Sequence, residues 1–234
     1  MTHTFGAYFS PTGGTKRALE AVCGLLGGES EYLPLTGPDK KEKTFGPEEL
    51  LVLALPVYAG QIPAVPGLLD GLKGDNTPCI LLATYGNRHY DNALAQMKRL
   101  MEARGFRCVG AAAVITPHIF APTLGVGRPD GEDQEVLARI AQGVEVPGDP
   151  EPPAHPAVPV KKDRDWDTCL GCGFCAQVCP TGAMDPKTLL WDMEKCISCM
   201  ACVSRCPVGA LGYNSAAIAT RLTEKFSERR PVEV

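Results

Sequence analysis

Apolar residues in the first half of the chain come in short runs of the length of buried strands, and stretches with helical spacing lie between them. Thr4 to Phe9 is one such run, and Glu49 to Leu55, Pro78 to Thr84 and Arg107 to Thr116 are three more. A weaker strand falls near Tyr32 to Leu35. Between them, Lys16 to Leu26, Ala64 to Leu72 and Asn92 to Arg104 repeat their apolar positions on a helical period. Strands alternating with helices predict an α/β fold, a doubly wound five-stranded parallel sheet with helices on both faces. In such a sheet the ligand belongs at the carboxyl ends of the strands.

The periodicity stops before the last third, where cysteine takes over. Eight of the 11 cysteines form two copies of one run, C-x2-C-x2-C-x3-C-P: Cys169, Cys172, Cys175 and Cys179 before Pro180, then Cys196, Cys199, Cys202 and Cys206 before Pro207. Zinc sites space two ligand pairs widely and need only four donors, and a disulfide framework needs an oxidising compartment. Residues 164 to 213 resemble a bacterial 2[4Fe-4S] ferredoxin along their whole length. The resemblance implies a small α+β module with two [4Fe-4S] clusters and little apolar core. In that family the fourth cysteine of each run reaches across to the neighbouring cluster. Carried over, Cys169, Cys172, Cys175 and Cys206 hold one cluster, and Cys179, Cys196, Cys199 and Cys202 hold the other.

Three loops fall at strand ends in the first half. Ser10-Pro11-Thr12-Gly13-Gly14-Thr15 leads into a helix, where free backbone N–H groups and the hydroxyls of Ser10, Thr12 and Thr15 make a phosphate cradle without a lysine. Pro56-Val57-Tyr58-Ala59-Gly60-Gln61 and Thr84-Tyr85-Gly86-Asn87-Arg88-His89-Tyr90 are the other two. The S-x-T-G-x-T loop with these two glycine- and tyrosine-bearing loops resembles the phosphate-binding and ring-binding loops of flavodoxins, over residues 1 to about 145. That likeness implies a flavodoxin-like domain binding FMN, its phosphate on the first loop and its isoalloxazine between the other two. Gly14 stands where flavodoxins commonly have asparagine, and both tryptophans, Trp166 and Trp191, lie in the cysteine-rich half, so ring stacking falls to Tyr58, Tyr85 or Tyr90 or to the other domain. The Ala59-Gly60 peptide is expected to flip to accept a hydrogen bond from reduced flavin N5. Taken together, the chain resembles the flavodoxin-ferredoxin fusion proteins of anaerobic bacteria and archaea.

Composition sharpens the expected organisation. The 234 residues, 44% hydrophobic, leave room for two domains: 1–145 flavodoxin-like, 146–163 a proline-rich linker, 164–213 the ferredoxin module and 214–234 a C-terminal helix and tail. Val146 to Val160 holds Pro147, Pro150, Pro152, Pro153, Pro156 and Pro159. As polyproline it would reach roughly 40 to 45 Å, enough to swing one module to another subunit of a homodimer; the alternative is a segment laid on the surface. Ser215 to Phe226 reads as an amphipathic helix covering a domain face. The longest apolar run, ending at Val57, is too short to span a bilayer, and MTHTFGAYFS has no signal-peptide pattern, so a cytoplasmic protein is expected.

The formal charge of −4 becomes more negative once thiolate-bound clusters are present, which disfavours nucleic acid and favours basic patches on redox proteins, as electron donor or acceptor. Cys23, Cys79 and Cys108 read as buried packing, and Gly125-Val126-Gly127-Arg128-Pro129 as no dinucleotide site. Arg88 could stabilise a reduced, anionic flavin and His89 or His118 could supply a proton, but a solvent-facing charge and surface histidines are the default readings and no catalytic residue is assigned. The expected function is intracellular electron transfer between the clusters and FMN, with an FMN-dependent reductase of a small acceptor as the alternative. A module with so little core needs its metal to fold. Chelating the iron is therefore expected to abolish the module's native circular dichroism, and an unchanged spectrum would refute this.

Overall fold

A computed structural model describes residues 3–140 and 160–234. The linker residues 146–159 fall outside the described residues. In the first half, β1 (Thr4–Tyr8), β2 (Ser30–Pro34), β4 (Leu50–Pro56), β6 (Thr77–Tyr85) and β7 (Phe106–Ile115) form one parallel sheet in the order β2-β1-β4-β6-β7. Counted among themselves these strands run 2-1-3-4-5, the order of flavodoxin-like doubly wound folds. Alternation along the strands sorts the core into two. Leu51, Leu53 and Leu55 face one side with Leu81, Ala83 and helix α2 (Ala93–Glu102). Val52 and Ala54 face the other with Ile80, Leu82 and helix α1 (Gly14–Leu26), joined by Leu137 of α3 (Gly131–Leu137).

The helix expected over 64–72 is absent. Pro66 has no N–H to give and holds Val65 away from helical geometry, and Gly67 is left-handed at φ 64°. The segment descends in turns instead, with Val65, Leu68 and Leu69 still buried, and ends in β5 (Leu72–Gly74). That strand pairs in parallel with β3 (Lys43–Phe45), a pair too short to leave a pattern in the sequence.

In the second half, β8 (Lys162–Arg164) and β9 (Leu211–Tyr213) form an antiparallel ribbon around two four-residue helices, α4 (Phe174–Gln177) and α5 (Ala201–Ser204). The sequence repeat is a backbone repeat. Two and four residues after each leading cysteine the chain is left-handed, at Gly171 and Gly173 in the first copy and at Ser198 and Met200 in the second. The second copy holds that strained geometry without glycine, and the Ser198 hydroxyl is tied down by the Val160 N–H at 2.9 Å.

Helix α6 (Ala216–Phe226) buries none of its residues, contrary to the expectation that it covers a domain face. Its apolar stripe of Ile218, Leu222 and Phe226 is only half-buried, being narrow and flanked by charge. The segment after it does the covering. Glu233 pairs with Ala113 at the outer edge of β7, and Val232 enters the core on the α1 side. Arg229 forks onto Asp130 at 2.8 and 3.0 Å, and Arg128 joins the Arg230 carbonyl at 2.7 Å to buried Asp133. No helix among the described residues is long and apolar enough to cross a membrane.

Arg128 and Asp133 are both buried, so removing one partner strands the other's charge. Arg128→Met is expected to cost about 3–5 kcal/mol in urea unfolding, with most of it regained in Arg128→Met/Asp133→Leu. A single variant as stable as the parent would show that the pair does not anchor the tail.

Candidate redox site at the carboxyl ends of the sheet

The chemistry-bearing residues gather on one side of the sheet half. Helix α1 begins at Gly13, left-handed at φ 88°, with no side-chain cap on the helix N-terminus. Ser10 Oγ accepts the Lys16 N–H at 3.0 Å, and Thr12 is exposed. Thr15 turns inward, its hydroxyl 2.7 Å from that of buried Thr84, so this loop presents backbone N–H groups more than hydroxyls. A Cβ built on Gly13 would lie 3.1 Å from Nη1 of Arg17, so a guanidinium leans over this loop, which has no lysine in its cradle.

Pro56 ends β4 and Val57 continues from it, its N–H bonding the Thr84 carbonyl at 2.8 Å. Tyr58 and Gln61 then pair across a two-residue turn, with N–H to carbonyl distances of 2.8 and 3.1 Å. Ala59 and Gly60 are both left-handed, at φ 52° and 84°, the signature of a type I′ turn. Flipping the central peptide of such a turn would carry Ala59 into a region open essentially to glycine, so the strain of the expected flip would rest on Ala59. Gly60 is required for a different reason: a Cβ there would lie 2.2 Å from Asp91 Oδ2.

In the third loop, Thr84 and Tyr85 belong to the core, and the Tyr85 hydroxyl is buried without a partner. Gly86 packs against His118, leaving no room for a Cβ. Asn87 is buried and donates to the carbonyls of Phe226 and Glu228 at 2.6 and 2.7 Å, tying the loop to the C-terminal segment. Arg88 pairs with Asp91 at 3.1 Å, and exposed His89 stacks on Tyr90, whose hydroxyl donates to Glu233. His118 is held neutral, burial pushing it down to about 4, with Nδ1 accepting the Phe120 N–H at 3.0 Å.

The cysteine-rich half sits directly on these loops. Val178, Cys199 and Ala201 join the sheet's core, with Phe174, Ile197, Val57 and Tyr58 packed around them. Ser204 Oγ donates to the Pro11 carbonyl at 2.8 Å, and the Tyr213 hydroxyl to that of Ile119 at 2.7 Å. Desolvation, with Cys199 alongside, pushes the Tyr58 phenol well above its ordinary value.

One cavity in this half is walled by Cys179, Cys196, Cys199 and Cys202 together with Lys162 and Trp191. Three of these cysteines belong to the second run and one to the first. Trp191 Nε1 is buried there with no oxygen or nitrogen acceptor and with the Cys202 sulfur beside it, and Lys162 Nζ lies 3.1 Å from Cys196 Sγ. Four thiols, an indole N–H facing sulfur and an ammonium make a donor set for an anionic, sulfur-rich group, which fits a thiolate-ligated cluster. No three His, Cys, Asp or Glu side chains among the described residues converge as for a single metal ion.

The other four cysteines are more open. Cys172 is exposed, Cys169 half-exposed, and Cys175 and Cys206 share a small core with Met184, Leu189 and Leu211. Hydrogen bonds from the Gly171 backbone and Arg164 hold the Cys169 thiol below its ordinary value, whereas burial pushes Cys199 up to about 12. Iron must displace that proton to bind. Cys23 and Cys79 are buried and Cys108 half-buried, as the packing reading expected.

Residues 161–207 match the family model of the 4Fe-4S dicluster domain. The dicluster match includes both C-P pairs and lies wholly outside the sheet half. No curated protein sequence matches the chain. Among solved structures, the two-electron reduced flavodoxin of Megasphaera elsdenii is 15% identical, spans 60% of this chain and 99% of its own, and has a TM-score of 0.42. The flavodoxin of Streptococcus pneumoniae is 14% identical over 61% of this chain and 97% of its own, with a TM-score of 0.40. The chain thus carries a doubly wound parallel sheet followed by a region that matches the 4Fe-4S dicluster domain.

Lys162, Arg164, Arg17 and Trp191 were missed as site residues. The alternation of Lys162 and Arg164, five residues or more before Cys169, is the signal that could have found the first two. If Cys179 shares its cavity's ligand with the second run, Cys179→Ser should remove the same cluster signal as Cys196→Ser. Matching electron paramagnetic resonance spectra of the two variants would bear this out. A Cys179→Ser spectrum matching Cys172→Ser would overturn it.

Proposed function

We propose that the chain is an electron-transfer flavoprotein in which two [4Fe-4S] clusters exchange electrons with FMN held by the same polypeptide. One cluster is assigned to Cys169, Cys172, Cys175 and Cys206, the other to Cys179, Cys196, Cys199 and Cys202. The observation that carries the reading is the packing of the Cys199 loop on Tyr58 and of Ser204 on Pro11, which brings the dicluster region onto the loops read as the flavin site. Iron-sulfur clusters carry single electrons and flavin one or two, so the pair joins one-electron and two-electron carriers.

Each loop of this chain has a part in that reading. The N–H groups around Gly13, Gly14 and Thr15 at the start of α1 take the phosphate, with the Arg17 guanidinium beside them. Pro56, Val57, Tyr58, Ala59 and Gly60 form one wall for the ring, and Gly86, Arg88 and Tyr90 of the third loop the other. Thr84, Tyr85 and Asn87 support that wall from within the core, Asn87 through its bonds to the tail. The exposed surface around Cys172, with Trp166 at 58% and Leu170 at 70% exposure, is where a redox protein would meet the outer cluster.

Anaerobic protein should contain flavin with iron and sulfide for two clusters. After rapid mixing with a one-electron reductant, flavin bleaching is expected to follow cluster reduction with a rate independent of protein concentration. A rate proportional to concentration would move the exchange between molecules, and absence of flavin would remove the reading.

A further inference from the structure

Lys162 and Arg164 lie two residues apart on β8 and so share one face of the strand. Lys162 is 7% exposed, and its ammonium donates to the Val160 carbonyl and to Cys196 Sγ, both at 3.1 Å. Arg164 donates from Nη1 to Cys169 Sγ at 3.0 Å and from Nη2 to the Leu189 carbonyl at 2.8 Å, with Cys175 Sγ at 3.6 Å. Its guanidinium is clasped between Trp166 and Trp191, at 4.9 and 5.3 Å from the ring centres. Each group of four cysteines thus has its own cation bonded to sulfur.

Neither cation pairs with a carboxylate among the described residues. An ammonium so buried needs a counter-charge, and of the two groups it bonds only the cysteine sulfur can carry one. The Trp191 N–H, buried with no oxygen or nitrogen acceptor, lines the same cavity and faces the sulfur of Cys202. These side chains are arranged for an anion whose charge resides on sulfur.

Resting on the two-cluster reading above, we propose that Lys162 and Arg164 are positioning residues that set the reduction potentials of the two clusters separately, Lys162 for the cluster on Cys196 and Arg164 for that on Cys169. A cubane with four thiolates carries about two negative charges, and one electron from an external reductant raises that to about three. A fixed cation stabilises the more negative form more, so it raises the potential of the cluster it touches. Lys162 acts as an unscreened point charge, while the delocalised, half-exposed charge of Arg164 is better screened. The larger effect belongs to Lys162.

The test is an anaerobic redox titration of the full-length reconstituted protein, followed by electron paramagnetic resonance, with iron counted in each sample. Lys162→Met is expected to move one midpoint to more negative potential and leave the other in place. Arg164→Met should move the other midpoint, by less. Lys162→Arg should return most of the shift. Lys162→Gln keeps length and a donor without charge, and serves where Lys162→Met loses iron. Unmoved midpoints at full iron content would overturn the proposal, as would equal movement of both. Loss of iron in Lys162→Met with wild-type midpoints in Lys162→Gln would also overturn it, since the side chain would then be structural. A parent protein with fewer than two reducible clusters would instead overturn the two-cluster reading itself.

Discussion

One patch of apolar packing governs the rest of the molecule: Val178, Ile197, Cys199 and Ala201 against Val57, Tyr58 and the core behind them. The cysteine-rich half has only five buried residues in a core of its own, two of them cysteines. So small a core cannot hold a fold, and the half completes itself on the carboxyl ends of the sheet. That contact decides orientation. With α5 against Pro11 and β9 against Ile119, one group of cysteines walls a cavity and the other reaches the surface at Cys172.

Enclosure has an electrostatic consequence. The same burial that pushes Cys199 above its ordinary value would penalise a thiolate-bound cluster, and more so a reduced one. The fold answers with donors drawn from elements outside the cysteine runs: Lys162 on β8, and Trp191 after the first run. The outward group meets solvent and Arg164 instead, and Cys169 is held below its ordinary value. Two copies of one sequence motif therefore sit in different electrical surroundings, a difference imposed by where the sheet lies.

How much of this was legible depended on the range of the forces involved. The five long strands were readable because a parallel strand buried on both faces must be apolar throughout, as Leu50–Pro56 is. The cysteine runs were readable because ligand spacing is local. The helix read over 64–72 failed because its apolar spacing is real while Pro66 and Gly67 forbid the backbone. Arg128 could not be read at all. Its segment reads only as no dinucleotide site, and its partners, Asp133 and the Arg230 carbonyl, include one 102 residues away. Thr15 and Thr84 show the same limit within the candidate site, since only the fold reveals that their hydroxyls meet each other.

The question of whose flavin the clusters would face turns on the tail. The chain enters the dicluster half at Val160, pinned to Ser198, and leaves it through α6 to return to the sheet. There Asn87 holds the carbonyls of Phe226 and Glu228, Arg128 that of Arg230, and Ala113 pairs with Glu233. The half is thus fastened to one sheet twice, by apolar packing at Tyr58 and by polar bonds beyond α6. Handing it to a second subunit would break both attachments and rebuild both elsewhere, with no new contact to favour the exchange. Two tethers on one chain also keep the effective concentration of each contact high. On the proposed reading, the partner loops of Cys199 are those of its own polypeptide, and any dimer would be added to that pairing rather than required for it.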